Sequence, residues 1–418
     1  MRIRTAGVVV AAASVVALVV AGCGGNSTKT GSGSPSKAAG GTVVIWADDQ
    51  RTAALKPFAE KFGKDNGVTV QVQAISKDLE TNYVTAAQSG KGPDIVVGAN
   101  DWIGNLVQNG TIDPVQLTDQ QKSGFADIAL KAMTFNGQVY GVPYAIENLA
   151  LIRNTDLAPT APSTLDDLVA SGSALKAAGK VTNIMALQAG QTGDVYHVYP
   201  LFTSGGGYLF GTKSNGDYDP TDLGVDKPAS VAAFQKIAAL GEKGNGALTR
   251  SITADNAIPT FTGGKTAYLI SGPWAIADIK KAGIHYDITP VPAFAGGKAA
   301  QPFVGVQAFY VASKGKNKAL AQEFVTNYLT QPDLQVALYQ ANARPPALNS
   351  AMNQVKSTDP DLQKWLDAGK GGAPMPDIPQ MAAIWDPLGK AEAAIIGGAD
   401  VPSTLAAAAK TITDQINK

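Results

Sequence analysis

Residues 136–156 read NGQVYGVPYAIENLALIRNTD, a short hairpin that runs into a mostly apolar, extended segment interrupted by one acid. Asn136 and Gly137 predict the turn of the hairpin, because both tolerate the positive φ of a type I′ turn. The apolar residues 149–152 predict a buried strand. Between the two halves lies Glu147, whose charge must be paired, solvated or used, since burying an isolated charge is costly. Spacing alone leaves a structural acid and a functional acid equally open.

The composition indicates a folded protein with more than one core. At 418 residues the chain is too long for a single ordinary core, so two lobes are expected. Its 34 basic and 34 acidic residues balance and leave no basic surplus to hold a phosphate backbone, so nucleic acid is not an expected partner. The 45 glycines and 24 prolines predict many turns, while 45% hydrophobic residues are normal for a globular protein.

The N-terminal segment predicts export and anchoring. Residues 1–22 begin with two arginines close together, continue through an apolar run and end in small residues, the pattern of a secretory signal peptide. The apolar run is shorter than the roughly 20 residues of a transmembrane helix. Cys23, the only cysteine, follows Ala-Gly and resembles the lipidated cysteine of a bacterial lipobox; an ordinary signal peptide is the alternative. Residues 23–41, rich in glycine and serine, predict a flexible tether.

Predicted strands alternate with predicted helices after the tether. This order predicts an α/β fold with a parallel or mixed sheet, in which a binding site lies at the carboxyl ends of the strands. Two of these ends carry acids, Asp48 with Asp49 and Asp101, and Trp102 follows the second. The predicted strands are 42–46, 68–72 and 94–97, and the predicted helices are 52–65 and 79–88. Gly67 is expected to cap the end of the first helix.

A second α/β unit begins after Glu147. Ser163, with Asp166 three residues later, predicts a capping box at the start of a helix that runs to about Ala178. Further elements extend the α/β pattern. They are strands at 183–188, 266–270 and 303–313, and helices at 230–243, 318–329 and 334–341.

Signatures of catalytic, cofactor and metal sites are incomplete. His197 and His285 lack metal-ligand spacing, and the sequence contains no G-x-S-x-G esterase motif. Residues 264–266, GKT, resemble the end of a phosphate loop, but Pro259 stands where that loop requires glycine. No cofactor, metal or catalytic residue is therefore expected, and the protein is not predicted to be an enzyme.

Short motifs are spread along the chain from Thr42 onward. They are VVIWADD from Val43, KGPDIVVGANDW from Lys91, VPYAIENLALIRNTDL from Val142, ISGPWAIADI from Ile270, QPFVGVQAF from Gln301 and MPDIPQMAAIW from Met375. Each motif alone is weak evidence. In this order they make the chain resemble the maltose/maltodextrin-binding proteins, the extracytoplasmic solute-binding subunits of carbohydrate ABC transporters, from Thr42 to the C-terminus.

The resemblance implies an α/β fold of two lobes, like that of the periplasmic binding proteins, with a hinged ligand cleft between them. Three crossings of the chain would connect the lobes, near residues 145–148, 303–305 and 357–361. The implied lobes are an N-lobe of residues 42–145 and 306–356 and a C-lobe of residues 149–302 and 361–418.

The resemblance also implies which side chains contact a ligand. Glu147 matches the acid of the family's cleft, Asp101 matches an acid of the N-lobe, and Trp274 and Trp385 match two stacking tryptophans of the C-lobe. The other matches are looser, because of an insertion near residues 190–193 and a one-residue gap after the first strand. The candidate ligand-binding residues are Asp49, Arg51, Glu80, Asp101, Trp102, Glu147, Asp194, Tyr196, Trp274 and Trp385.

The chain departs from the family at three positions of the cleft. Gly98 stands where the family often has tryptophan, so an aromatic platform of the N-lobe is expected to be lost. Trp102 replaces an arginine, and Gly389 replaces the arginine expected four residues after Trp385. The sugar class is therefore better supported than the exact sugar.

These residue types suit a sugar. Carboxylates accept hydroxyl hydrogen bonds that contribute about 1.5–3 kcal/mol each, and aromatic rings bury the C–H faces of a hexose. The resemblance implies a monomeric, lipid-anchored protein on the extracytoplasmic face of the membrane. It would bind maltose or maltodextrins by closure of the cleft and deliver them to permease subunits and their ATPase.

Two alternatives stay open. The same transport role could serve another oligosaccharide, such as trehalose or cyclodextrin. The other alternative, which fits the resemblance less well, is a glycoside hydrolase. In that case Glu147 would act together with Asp101 or Asp194 as the acid and the nucleophile.

Overall fold

The structure is a computed structural model, and it describes residues 41–214 and 216–417. The predicted signal peptide 1–22, Cys23 and residues 24–40 of the predicted tether lie outside the described residues. From residue 41 onward the chain belongs to one compact unit. None of the described helices combines the length and the apolar character that crossing a bilayer requires.

Strands of the described residues form two main sheets and two short hairpins. The strands are β1 (Thr42–Ala47), β2 (Thr69–Ala74), β3 (Ile95–Ala99), β4 (Ile112–Asp113), β5 (Thr134–Phe135), β6 (Gln138–Val139), β7 (Gly141–Glu147), β8 (Ala150–Asn154), β9 (Ala186–Leu187), β10 (Phe210–Thr212), β11 (Tyr218–Leu223), β12 (Tyr268–Ser271), β13 (Tyr286–Thr289), β14 (Phe303–Ala312) and β15 (Ala373–Pro374).

Helices of the described residues connect these strands. The α-helices are α1 (Asp49–Asn66), α2 (Leu79–Gln88), α3 (Ile103–Gln108), α4 (Asp119–Ser123), α5 (Asp127–Ala132), α6 (Leu165–Ala177), α7 (Val195–Ser204), α8 (Pro228–Leu240), α9 (Ala257–Thr262), α10 (Ile276–Lys281), α11 (Lys318–Glu323), α12 (Pro332–Asn342), α13 (Asn349–Lys356), α14 (Asp361–Gly369), α15 (Trp385–Ile396) and α16 (Val401–Ile416). Short 3₁₀ helices span Asn100–Trp102, Pro273–Ala275 and Pro379–Ala383, and a π-helical turn spans Phe324–Tyr328.

The larger sheet is mixed, and β14 is its central connection. β1 lies between β2 and β3 and is parallel to both. β14 runs antiparallel to β3 and β7 and also pairs with β4 and β15. All ten residues of β14 are buried, as expected for a strand that is covered on both faces. Because Gly305 of β14 pairs with Glu147, the carboxyl end of β7 lies beside the start of β14.

The smaller sheet has the strand order β13-β8-β12-β9. β8 pairs antiparallel with β12 and with β13, and β9 is parallel to β12. β8 confirms the buried strand predicted near residues 149–152. Since β7 ends at Glu147 and β8 starts at Ala150, the chain passes from one sheet to the other directly after the acid.

Two large hydrophobic clusters lie on either side of this passage. The first contains buried residues from 43–146 and 304–351, including the apolar side chains of β1, β3 and β14. The second contains buried residues from 149–303 and 375–412. β14 links the two clusters, because Phe303 belongs to the second and Val304 to the first. The predicted limits of the two lobes stay a prediction.

Local capping signals fix several helix ends. Gly67 ends α1 in the left-handed conformation with φ 68°, as predicted. The hairpin turn is also confirmed, since φ is 49° at Asn136 and 76° at Gly137. α1 begins three residues before its predicted start, because Asp48 caps it by accepting a 2.8 Å hydrogen bond from the backbone nitrogen of Arg51.

The predicted cap of α6 is wrong by one residue. Thr164 and Asp167 form the capping box, in place of Ser163 and Asp166. The reason is tertiary: Asp166 accepts a 2.9 Å hydrogen bond from the backbone nitrogen of Ala295, so its carboxylate is not available to the helix start.

Gln335 of α12 ties three backbone segments together. It is 1% exposed. Its Nε2 donates to the carbonyl oxygens of Pro143 and Leu329 at 3.1 and 2.9 Å, and its Oε1 accepts from the backbone nitrogen of Leu348 at 2.8 Å. The amide therefore joins β7, the turn before α12 and the turn after it.

We expect Gln335→Met to lower the free energy of unfolding by about 3 kcal/mol, because it leaves three buried backbone groups without these partners. Urea denaturation of a fragment of residues 42–418 measures the change. Gln340→Met, at an exposed position of the same helix, is the control and should stay within about 0.5 kcal/mol of the wild type. Equal effects of the two substitutions would refute this role of Gln335.

Candidate functional site

Glu147 is buried at the end of β7, with 5% of its surface exposed. Its Oε1 accepts a 2.8 Å hydrogen bond from Nε2 of Gln307, and its Oε2 accepts one from Nε of Arg344. Gln307 is a polar residue within the otherwise apolar β14, and Arg344 follows α12. The acid that interrupts the apolar segment is thus paired through both oxygens.

Arg51 is a second buried cation in the same region. Its Nε donates to the hydroxyl of Tyr144, and its Nη1 donates to Asp48, the residue that also caps α1. The guanidinium carbon lies 5.7 Å from the centre of the Tyr144 ring, within the range of a cation–π contact. The acid that pairs with Arg51 is therefore Asp48, whereas the candidate Asp49 is exposed.

The arginines keep Glu147 ionised. Burial by itself would raise the pKa of this carboxyl, but the charges of Arg344 and Arg51 and the hydrogen bonds from Arg344 and Gln307 outweigh it and lower the pKa. A carboxylate oxygen has two acceptor sites, so each oxygen of Glu147 can accept one hydrogen bond beyond the one it receives from the protein.

Aromatic side chains from separate segments form a surface that we call the aromatic wall, which consists of Tyr196, Trp274, Phe303 and Trp385. The ring centres are 6.4 Å apart for Tyr196 and Trp274, 6.2 Å for Tyr196 and Phe303, and 6.3 Å for Phe303 and Trp385. All four rings belong to the second hydrophobic cluster or pack against it. Gly272 allows the indole of Trp274 to lie against the backbone, because a methyl group there would overlap the ring.

Asp194 caps α7 and orients the residues after it. Its Oδ1 accepts a 2.9 Å hydrogen bond from the backbone nitrogen of His197 and lies 3.0 Å from Nδ1 of that residue, and its Oδ2 accepts from Gln188. Burial would raise the pKa of Asp194, but His197 and these hydrogen bonds lower it. The backbone nitrogen of Asp194 donates to buried Glu392 at 2.8 Å. These contacts fix the start of α7, where Tyr196 lies.

Asp101 and Glu80 form an acidic pair. Burial and, next, the charge of Glu80 raise the pKa of Asp101 to about 7, although a hydrogen bond with the Trp385 side chain opposes the rise. Glu80 accepts a 2.7 Å hydrogen bond from Nδ2 of Asn105, and burial raises its pKa as well. Asp101 is therefore partly protonated near neutral pH.

Two contacts join the surroundings of Glu147 to the aromatic wall. The guanidinium carbon of Arg344 lies 5.1 Å from the centre of the Trp274 ring, and the side chain of Trp385 lies close enough to Asp101 to lower the pKa of that carboxyl. Both contacts connect segments of the first hydrophobic cluster to the second. The candidate residues that these interactions bring together are Arg51, Glu80, Asp101, Glu147, Asp194, Tyr196, Trp274 and Trp385.

Gly98 and Trp102 pack directly against each other. The indole of Trp102 lies directly on Gly98, since a methyl group at Gly98 would overlap its six-membered ring. Trp102 lines a cavity of about 300 Å³ together with Asp48, Arg51 and Arg344. An aromatic ring is therefore present beside the position where the sequence predicted the loss of one.

Gly389 and the insertion near residues 190–193 are linked in the same way. A methyl group at Gly193, which has φ 78°, would overlap the backbone of Gly389, and a methyl group at Gly389 would lie 2.8 Å from the carbonyl oxygen of Thr192. An arginine side chain at position 389 does not fit beside this loop. The predicted insertion and the predicted loss of the arginine therefore fall at one place in the structure.

The candidate ligand-binding residues named from the sequence do not include Asp48, Gln307, Arg344 and His197. Signals for some of them are present in the sequence. Asp48 lies two residues after a predicted strand, Gln307 interrupts an apolar strand, and Arg344 precedes two prolines, which favour an extended chain. His197 lies three residues after Asp194, at the spacing of a helix cap. Within residues 41–214 and 216–417, no group of three or more His, Cys, Asp and Glu side chains is placed to hold a metal ion.

Comparison with known proteins bears on what this cleft does. The sequence profile described as "Bacterial extracellular solute-binding protein" matches residues 58–365. This chain belongs to that family. The solute-binding protein is 30% identical over 420 residues to a galactooligosaccharide-binding protein of Bacillus subtilis, covering 96% of this chain and 95% of the relative.

Two further relatives of this solute-binding protein have names that describe α-glucan ligands. A maltooligosaccharide ABC transporter solute-binding lipoprotein of Streptococcus pneumoniae is 30% identical over 350 residues, which covers 82% of this chain and 81% of the relative. A maltodextrin-binding protein of Bacillus subtilis is 28% identical over 389 residues, which covers 91% and 89%. The predicted resemblance and the two-lobe α/β fold are confirmed. Which side chains contact a ligand stays a prediction.

The raised pKa of Asp101 predicts a pH-dependent stability. A carboxyl with a higher pKa in the folded than in the unfolded protein binds more protons when folded. Its contribution to the free energy of unfolding is therefore fully present below about pH 4 and is lost as the pH rises to about 7. We expect Asp101→Asn to remove this decline, measured by urea denaturation from pH 4 to 8. Asp119→Asn, at an exposed carboxylate, is the control. Parallel profiles of the wild type and Asp101→Asn would contradict the assignment.

Proposed function

We propose that this solute-binding protein binds maltose and maltodextrin-type oligosaccharides in the cleft around Glu147 and delivers them to the permease and ATPase subunits of an ABC importer. The observation that carries the proposal is an ionised, buried Glu147 close to the aromatic wall. The names of two relatives, which describe maltooligosaccharide and maltodextrin binding, support the same ligand class.

Glu147 supplies the polar half of the proposed site. Gln307 and Arg344 hold its carboxylate in one orientation, so its remaining acceptor sites have fixed directions before the ligand arrives. A hydroxyl that donates to a carboxylate contributes about 1.5–3 kcal/mol, and a fixed acceptor loses little entropy on binding. Such an acceptor selects ligands with hydroxyl donors around their rim, as a hexose has.

The aromatic wall supplies the apolar half. The C–H faces of a hexose pack well against indole and phenol rings, because the negative face of the ring meets the positive hydrogens. Trp274 and Trp385 present such rings from one hydrophobic cluster, and Trp102 presents one from the other. A sugar between them would have both faces covered.

Closure of two lobes is the proposed mechanism. The proposed N-lobe comprises residues 42–145 and 306–356, and the proposed C-lobe comprises residues 149–302 and 361–418. A sugar that contacts Glu147 and the aromatic wall at once stabilises the closed form, because only that form makes both sets of contacts. The transporter would then recognise the closed form.

A lipid on Cys23 would hold the protein at the extracytoplasmic face of the membrane, with residues 23–41 as the tether. The family description is extracellular, and one relative is named a lipoprotein. We propose that the protein acts there as a monomer.

A galactooligosaccharide is a second candidate ligand. The relative whose alignment covers 96% of this chain is named for that ligand. The arrangements at Gly98 with Trp102 and at Gly389 with the 190–193 loop alter the cleft relative to the maltodextrin-binding pattern. Trehalose and cyclodextrin are further candidates, and the titrations below include them together with a galactooligosaccharide.

The contacts of Glu147 as a proton donor and of Asp194 as a nucleophile favour binding over hydrolysis, whereas Asp101, whose pKa is raised to about 7, leaves a pairing with Glu147 to be tested by sugar release. A retaining glycosidase needs a nucleophile and a proton-donating acid on either side of the bond. Glu147 is ionised and paired with Arg344, so it is unsuited to donate a proton. Asp194 uses both oxygens to cap α7 and to hold Gln188, so it is unsuited to attack a sugar.

Isothermal titration calorimetry on residues 42–418 tests the ligand class. We expect maltose or maltotriose to bind with a Kd of about 1 μM, or about −8 kcal/mol. Glu147→Ala and Trp274→Ala should each weaken this binding by about tenfold or more, because each removes one half of the site. Asp386→Ala, at an exposed residue next to Trp385, is the matched control and should leave the affinity unchanged.

The same titrations include a galactotriose, trehalose and a cyclodextrin. Tight binding of one of these with no binding of α-glucans would keep the transport role and change the ligand. Failure of every sugar to bind would contradict the proposal. Release of smaller sugars from maltotriose would instead support a hydrolase.

Gly98→Ala tests whether the platform of Trp102 contributes. The added methyl group displaces the indole that lies on Gly98, so we expect the affinity for the bound sugar to fall about fivefold. Gly124→Ala is the control, since its methyl group would come no nearer than 3.2 Å to a neighbouring atom. An unchanged affinity in Gly98→Ala would remove Trp102 from the proposed site.

A further inference from the structure

Two hydrogen-bond donors of the cleft are buried and, among the described residues, have no partner. They are the hydroxyl of Tyr196 and Nη1 of Arg344. Arg344 uses its Nε for Glu147, and Tyr196 packs its ring into the aromatic wall, so neither side chain can turn away without losing an existing contact. Buried donors are nearly always paired in proteins, so two unpaired ones in a single region point to a missing acceptor.

The side chains that carry the two donors both lie near the indole of Trp274. The guanidinium carbon of Arg344 is 5.1 Å from the centre of that ring, and the Tyr196 ring is 6.4 Å from it. Burial and, next, the charge of Glu147 raise the pKa of Tyr196 well above its ordinary value, while the charge of Arg344 opposes this. The phenol therefore stays protonated, and it lies within electrostatic reach of both members of the ion pair.

The backbone holds Arg344 at this place. Ala343, at the end of α12, has φ 54°, a left-handed conformation that is uncommon for a residue other than glycine. On the other side, the carbonyl oxygen of Pro345 accepts a 2.8 Å hydrogen bond from the backbone nitrogen of Ile146. The chain is thus turned at Ala343 and fixed to β7 at Pro345, which directs Arg344 to Glu147 and Trp274.

We propose that Arg344 and Tyr196 together donate hydrogen bonds to one hydroxyl oxygen of the sugar unit that stacks on Trp274, and that Arg344 is thereby a specificity-determining residue. This inference rests on the proposed function. Glu147 requires a ligand hydroxyl that donates a hydrogen bond, and the donor pair adds the requirement for a ligand oxygen that accepts one. The ligand must therefore present one hydroxyl in the direction of Arg344 and Tyr196.

A hydroxyl fits this place better than a ring or glycosidic oxygen. Its oxygen can accept from two donors, and its own hydrogen remains to be donated to Glu147, which is bonded to the same guanidinium. A ring oxygen would satisfy the donors but would offer nothing to the carboxylate. A guanidinium has no acceptor atom, so Arg344 cannot recognise a donor in place of an acceptor.

The competing explanation is that Arg344 only neutralises the charge of Glu147. Lysine would retain that charge but not a planar group that can bond the carboxylate and a ligand from different nitrogens. Tyr196→Phe is the sharper substitution, because it removes one hydroxyl that has no partner in the protein and keeps the ring of the aromatic wall. A purely structural role predicts no effect of Tyr196→Phe on sugar affinity.

The test is calorimetric titration of residues 42–418 with maltose and each of its monodeoxy analogues, for the wild type, Tyr196→Phe and Arg344→Lys. If galactobiose binds the wild type more tightly than maltose, galactobiose and its monodeoxy analogues take their place. Tyr199→Phe is the matched control, since it lies in the same helix and its ring stacks on Phe303 at 3.6 Å. Thermal unfolding of each variant separates loss of fold from loss of affinity.

We expect Tyr196→Phe and Arg344→Lys each to weaken binding of the intact sugar about tenfold, while Tyr199→Phe stays within about twofold. For one monodeoxy analogue, the one that lacks the recognised hydroxyl, both substitutions should have less than about a twofold effect. Equal losses for every analogue, or no loss in Tyr196→Phe, would overturn the inference while leaving the proposed function intact. If the wild type binds no sugar, the proposed function and this inference fail together.

Discussion

The buried ion pair between Glu147 and Arg344 is the interaction on which the cleft depends. Neither charge could be buried alone, and removing one partner of such a pair typically costs about 3–5 kcal/mol because the other remains uncompensated. Glu147 lies where the chain passes from the larger to the smaller sheet, and Arg344 lies where it leaves α12. Their pairing therefore fixes the passage between the sheets and, through Trp274, the position of the aromatic wall.

Features that depend on a few neighbouring residues could be predicted from the sequence. The turn at Asn136 and Gly137 and the left-handed end of α1 at Gly67 follow from backbone conformations that few residues adopt. Prediction was wrong where a distant group competes for the same side chain. At the start of α6, the bond from Ala295 to Asp166 moves the cap by one residue, and no local pattern contains that information.

The candidate site also contains some residues that the sequence indicates locally and others that only distant contacts explain. Glu147 stands out in the sequence because an acid interrupts an apolar segment, but its partner Arg344 lies 197 residues further along. Only the packing of α12 against β7 brings the two together, and Gln335 shows how closely that contact is specified. The resemblance named Tyr196, Trp274 and Trp385, which lie together in the structure, but it did not name Phe303. Asp48 was not chosen because a one-residue gap favoured Asp49.

The close contacts of Gly98 with Trp102 and of Gly389 with the 190–193 loop have a consequence for how such a cleft changes during evolution. A tryptophan at position 98 would collide with Trp102, and an arginine at position 389 would collide with the 190–193 loop. A larger residue at 98 therefore requires that Trp102 changes first or at the same time, and a larger residue at 389 requires the same of the loop. Sequence variation among close homologues should then be correlated at 98 with 102 and at 389 with the length of that loop. New ligand preferences would arise in paired steps.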